Sequence, residues 1–405
     1  MEGETMIPRP QYLERLIALK DKQIIKVISG IRRCGKSSLL TLFKEYLKNV
    51  NVTDEQIISI NFENIEFESL KDYRSLYDFV NSRLTKEQSY YVFLDEVQNC
   101  EHFEKAIDSF SLKENVDLYL TGSNAYLLSG ELATLLSGRY VEIEMLPLSF
   151  KEYLSSLKDK TDIERKFRDY LRFGAFPYLT NLRDNEGSIN DYLDGIYHSV
   201  LIKDIITRNK IKDVMVLENV IKFLFNNIGN MVSTKKISDS LAADGRKVSP
   251  HTVENYLSAL KNSYIIYQSD RYDIRGKQYL KSLEKFYVVD TGLRNCIIGY
   301  KNIDSGHILE NIVFLELFRR GYKVAVGKTL DSEIDFVATN QYDTIYVQVS
   351  QTVRDAKTLE RELEPLRAIN DHNPKLLLTM DNDVSTSYGG IKKVNLIDFL
   401  LGEKY

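Results

Sequence analysis

The sequence predicts an α/β protein: a doubly wound parallel sheet at the N-terminus, then a helical segment and two smaller C-terminal modules. Three observations carry this. Strand and helix patterns alternate through the first 124 residues. The strands there are apolar almost throughout, as in "YYVFLD", the pattern of strands covered on both faces. A glycine-bearing turn, "GIRRCGKSS", joins the first strand to the first helix.

In order, "IIKVIS" (24–29) reads as a short buried strand, and "SSLLTLFKEYLKN" as a helix with Leu39, Leu40, Phe43, Tyr46 and Leu47 at helical spacing. Strands follow at 56–64, 89–99 and 116–124, with a helix at 71–84. "YVEIEMLPLSF" (140–150) alternates like an edge strand. Residues 151–212 are helical, with a turn at "FGAFPYL" where Gly174 and Pro177 interrupt the pattern. A helix at 213–229, two short helices around a glycine-containing turn, and the strands "YQSDRYD" and "KFYVVD" make a winged-helix pattern. The last hundred residues restart with the helix "GHILENIVFLELFRRGY". Three strands, a charged helix (354–368), the strand "KLLLTM" and a short closing strand and helix complete the chain. The expected division is a core at 1–150, a helical lid at 151–212, a winged helix at 213–300 and a last module at 301–405.

Composition sets bounds. The chain has 405 residues, 43% hydrophobic and 28% charged, an ordinary globular balance with material for several domains. A net charge of −4 excludes a nucleic-acid-binding polycation, so any basic patch is local. Cys34, Cys100 and Cys296 are scattered without a CxxC pair, which fits a reducing compartment. The first residues carry two acids and no apolar run, and no stretch approaches the length of a membrane span. The expectation is a cytoplasmic protein without a membrane partner.

Gly30, four intervening residues, then Gly35-Lys36-Ser37 make the complete G-x(4)-GK[ST] pattern, placed between a strand and a helix. Amides of such a loop point inward and cradle phosphates, and the helix that follows aims its positive end at them. The loop residues Gly30, Arg32, Arg33, Cys34, Gly35, Lys36, Ser37 and Ser38 are the candidate nucleotide ligands. Lys36 neutralises charge, and the Ser37 hydroxyl binds Mg2+. Arg32 and Arg33 either approach phosphate or stay solvated, and Cys34 reads as an inert thiol. Asp95 and Glu96 end a buried apolar strand, where two adjacent acids are costly without a cation. Asp95 is the second metal candidate, and Glu96 the group that polarises attacking water. In "LTGSN", Asn124 or alternatively Ser123 stands to orient that water. Arg139, before the fifth strand, is a candidate for stabilising transferred phosphoryl charge, in its own subunit or across an interface, or else a surface ion-pair residue. Glu63, at the tip of the second strand, is a further carboxylate on the same edge.

In this order the motifs resemble the bacterial and archaeal AAA-type ATPases that join an N-terminal P-loop domain to a C-terminal module of unknown function. The matching stretches are "IPRPQYLERL", "GIRRCGKSSLL", "VFLDEVQN", "LTGSNAYLLSGELATLLSGRYVEIEMLPLSFKEYL", "FGAFPYL", "EIDFVA" and "VQVS", spread over nearly the whole chain. The resemblance implies ATP as the nucleotide. It also implies that Lys36, Ser37, Asp95, Glu96, Asn124 and Arg139 fill the roles given above.

Residues 232–285 hold ten Lys/Arg and six Asp/Glu, a local +4. Lys235, Lys236, Arg246 and Lys247 flank the helix-turn-helix, His251, Thr252 and Asn255 open the recognition helix, and Arg271, Arg275, Lys277 and Lys281 lie on the wing. Such a set suits salt-dependent binding of double-stranded or branched DNA, while winged helices also serve as protein-interaction modules. The last module resembles the restriction-endonuclease-like fold, in which an acid on the first helix, an Asp on a strand and a [DE]-x-K strand bind metal. Glu310 and Asp335 match, but Gln348 replaces the acid and Ser350 the lysine, so a degenerate, silent module is expected; Lys357 is the available substitute. The combined expectation is a Mg2+-dependent ATPase, possible as a homo-oligomer, whose ATP cycle drives a DNA-associated remodelling or motor role. A nucleotide-gated assembly switch is the second reading and an ATP-gated nuclease the third.

Overall fold

Central strands of a parallel sheet must be apolar on both faces, and the first five strands sort themselves by that rule. β1 (Ile25–Ser29), β3 (Tyr90–Asp95) and β4 (Val116–Thr121) are buried at every position, whereas β2 (Ile57–Asn61) and β5 (Tyr140–Glu144) are only partly buried. The sheet order is β2-β3-β4-β1-β5, all parallel, so the alternating strands lie at the edges. The computed structural model describes residues 6–123, 125, 138–183, 185–243, 245–300, 305–329, 332–383 and 386–402, with the side chains of 199–201, 281 and 282 excepted. It contains two units: Met1–Pro147 with Asn262–Tyr264, and Leu148–Lys261 with Ile265–Tyr405.

In the first unit, α1 (Pro10–Leu19), α2 (Lys36–Asn49), α3 (Tyr73–Asn81) and α4 (Phe103–Ser111) surround the sheet. One face buries Val27, Ile60, Val92, Leu94, Leu118 and Leu120 against Leu76, Ile107 and Phe110. The opposite face stacks Phe93 on Tyr119 at 4.8 Å under Phe43 of α2, 4.9 Å from Tyr119. Each such ring contributes about 1.5–3 kcal/mol by burial. Lys26 is fully buried on β1, paired with Asp117 of β4 and donating to the Lys22 carbonyl at 2.7 Å. The Tyr119 hydroxyl donates to the other Asp117 oxygen at 2.7 Å, so the buried pair keeps the hydrogen bonds it needs.

The second unit opens with α5 (Phe150–Ser156), started by a Ser149/Glu152 capping box, then α6 (Ile163–Phe173), α7 (Glu186–Gly195), a π-helical turn at Ile196–Ile202 and α8 (Lys203–Asn209). Next come α9 (Val214–Asn226), β6 (Met231–Val232), α10 (Thr234–Ala243), α11 (Pro250–Asn262), β7 (Ile266–Asp273) and β8 (Gln278–Val288). β8 begins earlier than the strand pattern predicts, and α12 (Thr291–Ile298), absent from the sequence reading, follows it. Asp290 starts that helix: its carboxylate accepts the Leu293 amide at 2.8 Å and the Ala175 amide at 2.6 Å. Burial pushes the Asp290 carboxyl up to about 6.

α13 (Ser305–Arg319), β9 (Lys323–Lys328), β10 (Glu333–Thr339), β11 (Thr344–Ser350), α14 (Ala356–Arg367), β12 (Lys375–Thr379), β13 (Thr386–Tyr388), β14 (Ile391–Asn395) and α15 (Leu396–Leu401) complete the chain. Among the described residues, all strands of this unit form one sheet, ordered β13-β14-β12-β11-β10-β9-β7-β8-β6. Its seam is a parallel pairing of β7 with β9, Arg271 to Val326 through Asp273 to Lys328, which crosses the sequence-based division at residue 300. Among the described residues no helix is long and apolar enough to cross a membrane.

Candidate active site

Because every strand of the first sheet runs the same way, the chain leaves all of them at one edge. The Gly30 loop, Asn61, Asp95-Glu96 and Thr121-Gly122-Ser123 therefore meet there, with β4 between β1 and β3. Ligands of open α/β sheets bind at this edge.

Gly30 sits at φ 135°, and a Cβ on it would collide with the Met145 carbonyl just beyond β5, so the turn requires glycine. Gly35, at φ 103°, precedes the first turn of α2. Lys36 is 4% exposed; its Nζ donates to the carbonyls of Gly30 at 3.0 Å and Ile31 at 3.3 Å and stands 3.7 Å from Glu96 Oε1. Ser37 lies close enough to Asp95 for its hydroxyl to pull that carboxyl down. Asp95 accepts from Thr121 Oγ1 and, at 3.2 Å, from Asn61 Nδ2. Burial raises the Asp95 carboxyl above its ordinary range against the pull of Thr121 and Ser37.

Glu96 differs. Burial works to raise it, but the Lys36 ammonium, then Gln98, Arg32 and Ser123, outweigh burial and hold it low. Its Oε2 accepts from Gln98 and, at 3.1 Å, from Ser123 Oγ. Its amide donates to Thr121 Oγ1 at 2.9 Å, so one hydroxyl holds both acids. Glu96 adopts the left-handed backbone at φ 52°, a state that costs a non-glycine residue about 1–2 kcal/mol and that clusters at functional sites. A charged carboxylate beside a buried ammonium, under a glycine loop, has the groups to accept a proton from water and to meet an anion.

The other candidates divide. Arg32 pairs with Glu63, bringing that acid to the rim of the site. Arg33, at φ 70°, and Ser38 are exposed. Cys34 is buried, its thiol pushed up by burial. Ser123 reaches Glu96, while Asn124 lies outside the described residues. Arg139 does not join the cluster. Its carbonyl accepts the Ile25 amide at the start of β1, and its guanidinium pairs with Asp108 at 3.0 Å. β1 runs four residue steps, about 13 Å, from there to Ser29, so Arg139 lies at the opposite sheet edge from the loop. Sequence reading missed Thr121, Asn61, Gln98 and Arg9. Arg9 is 3% exposed and donates to the Cys34 carbonyl at 2.9 Å and the Leu146 carbonyl at 2.7 Å, bracing the loop from the N-terminal arm. An arginine in an otherwise apolar "IPRP" was its only signal.

In the second unit Lys235, Lys236, Lys247, Arg275 and Lys277 are exposed and Arg246 half-buried. A pocket of about 350 Å³ opens among Asp213, Arg246, Lys247, Ser249, Thr252 and Tyr256. Arg271 is withdrawn from the wing surface: it pairs with Glu333 at 2.8 Å and is 13% exposed. The Lys281 side chain lies outside those described. Glu310, Asp335 and Gln348 do come together, but Lys357 is exposed on the first turn of α14. The ammonium that meets the acids is Lys285 of β8, 2.8 Å from Glu310 and 3.9 Å from Asp335. Ser350 turns to the Thr352 carbonyl at 3.2 Å.

The sheet order, the glycine loop after β1 and the acid pair ending β3 define a P-loop ATPase fold of the AAA class. The family described as "AAA domain" matches residues 22–154, and a "Domain of unknown function (DUF8612)" matches residues 164–304. An uncharacterized protein of Haemophilus influenzae is 40% identical over 403 residues, 98% of this chain and 100% of that one, and this chain belongs to its family. Uncharacterized protein MJ1544 of Methanocaldococcus jannaschii is 30% identical over 400 residues, 92% of this chain and 85% of that one. Among solved structures, the Walker-type ATPase PABY2304 of Pyrococcus abyssi has the same fold with a TM-score of 0.50 at 16% identity, covering 73% of this chain and 97% of that one.

Proposed function

We propose that this protein is a Mg2+-dependent ATP hydrolase whose cycle powers a DNA-associated remodelling or motor role. The observation that carries the hydrolase reading is the Lys36–Glu96–Ser123 contact at the tip of β3, beside the glycine loop. In this reading, amides of Gly30–Ser38 and the Lys36 ammonium bind the phosphates, and Glu96 takes the proton of the attacking water. Ser123 orients Glu96, and Asn124 is assigned to the water itself. The donor set fits the ion: Ser37 and Asp95, which influence one another, offer a hydroxyl and a carboxylate, both hard oxygen ligands. When bound, Mg2+ neutralises phosphate charge. Arg139 is assigned to a neighbouring copy's site, since its own lies across the sheet.

The exposed cations around α10, α11 and the β7–β8 turn support contact with duplex DNA. Withdrawal of Arg271 into an ion pair favours the second reading, a nucleotide-gated switch that engages a protein partner.

The test is ATP turnover by wild type, Lys36→Ala and Glu96→Gln, without DNA and with duplex, single-stranded or four-way-junction DNA. Lys36→Ala should lose nucleotide binding. Glu96→Gln should bind ATP and turn it over at least about 100-fold more slowly. Normal turnover by Glu96→Gln removes that residue from the mechanism. Turnover indifferent to every DNA form selects the switch.

A further inference from the structure

The acids of the second unit are held by an unexpected partner. Lys285, on β8, sets Nζ 2.8 Å from Glu310 Oε1 of α13 and 3.9 Å from Asp335 Oδ1 of β10. Tyr287, on the same face of β8, donates its hydroxyl to the same Glu310 oxygen at 2.7 Å. The other Glu310 oxygen faces His307 Nδ1 at 3.4 Å. Asp335 Oδ2 accepts the Val349 amide at 2.8 Å, and Gln348 spends its amide on the Asp335 backbone at 3.2 Å and on Glu362 at 2.8 Å. Lys285 and Glu310 are 7% and 6% exposed. Gly229 closes the remaining side: a Cβ there would stand 2.8 Å from His307 Nδ1 and 2.9 Å from Glu310 Oε2.

Glu310, Asp335 and position 348 are where the nuclease-like resemblance implies a divalent metal. The residues present do not fit one. Both Glu310 oxygens already have partners, the third ligand is an amide rather than an acid, and a cation stands within reach of both carboxylates. Among the described residues no group of three His, Cys, Asp or Glu has the arrangement of a metal site. An acid pair this buried still requires a positive charge.

We infer that the Lys285 ammonium is the resident cation of the Glu310/Asp335 pair, in the place where a related nuclease would hold a metal. It makes this centre a clamp fastening β8 to α13 and β10. The ammonium comes from β8, outside residues 301–405, so no motif within that stretch announces it.

The test is thermal unfolding of the full chain, free of nucleotide, in EDTA and in millimolar Mn2+. Asp335→Asn should leave the manganese response of the wild type unchanged. Lys285→Met should unfold at lower temperature and gain a manganese-dependent rise in Tm of several degrees, which a second Asp335→Asn change removes. Lys285→Met with Glu310→Gln, neutral at both partners, should unfold above Lys285→Met alone. If Lys285→Met does not fold, the wild-type and Asp335→Asn comparison still decides. A wild-type manganese stabilisation, or manganese-dependent plasmid cleavage, that Asp335→Asn abolishes would overturn the inference.

Discussion

At the scale of single residues, Thr121 aligns the candidate site. Its hydroxyl donates to Asp95 and accepts from the Glu96 amide, so it fixes the position of one acid and the strained backbone of the next. Thr121→Val keeps the shape of the side chain and removes both bonds. We expect ATP binding to survive and kcat to fall about 10- to 100-fold, the cost of a small misplacement of a reacting group. An unchanged kcat would show that Glu96 holds its geometry without Thr121. The grouping of Lys36, Ser37, Asp95 and Glu96 was legible in the sequence because each sits in a short contiguous motif at the end of a strand. Thr121, Asn61 and Arg9 were not, because their contacts come from neighbouring strands and from an arm more than twenty residues upstream of the loop residue it braces.

At the scale of elements, β5 decides what Arg139 can reach. Parallel pairing of Ile25 with Tyr140 puts the arginine at the start of β1, and the loop lies at the end. An arginine so placed is far from its own loop, and in the proposed reading it serves a site on another copy. Arg139→Ala and Lys36→Ala should each be nearly inactive alone, and mixing the two should restore a fraction of wild-type turnover, read as ATPase rate against mixing ratio. A mixture no faster than its components would exclude that role. The strands of this sheet were legible through their largely apolar runs, interrupted by Lys26 in β1 and Asp117 in β4, and β5 through its alternation. α12 was not, since its eight residues carry a weak pattern and Asp290, which caps it on the Leu293 amide, is also held by the distant Ala175 amide. The first part of β8, residues 278–284, was masked by its charged residues Lys281 and Glu284.

At the scale of the molecule, the nine-stranded sheet of the second unit is its main organising fact. A chain ending at residue 300 would leave Arg271–Asp273 of β7 without the β9 partner and Lys285 without either acid. An open edge and an unpaired buried ammonium both oppose folding. We expect that chain to aggregate or to lack a cooperative melt, checked by size-exclusion chromatography and circular dichroism; a well-behaved monomer would show that the hairpin stands without the seam. The order of helices and strands across residue 300 was readable, but strand neighbours distant in sequence are set by pairing, which no local pattern records. Over evolutionary time that pairing makes the hairpin and the acid cluster a single heritable trait. A recombination event between β8 and β9 would hand its descendant half a sheet and a charge without its counter-charge. A neutral substitution at Lys285 leaves two buried acids without their cation, so it costs least alongside a matching change at Glu310 or Asp335.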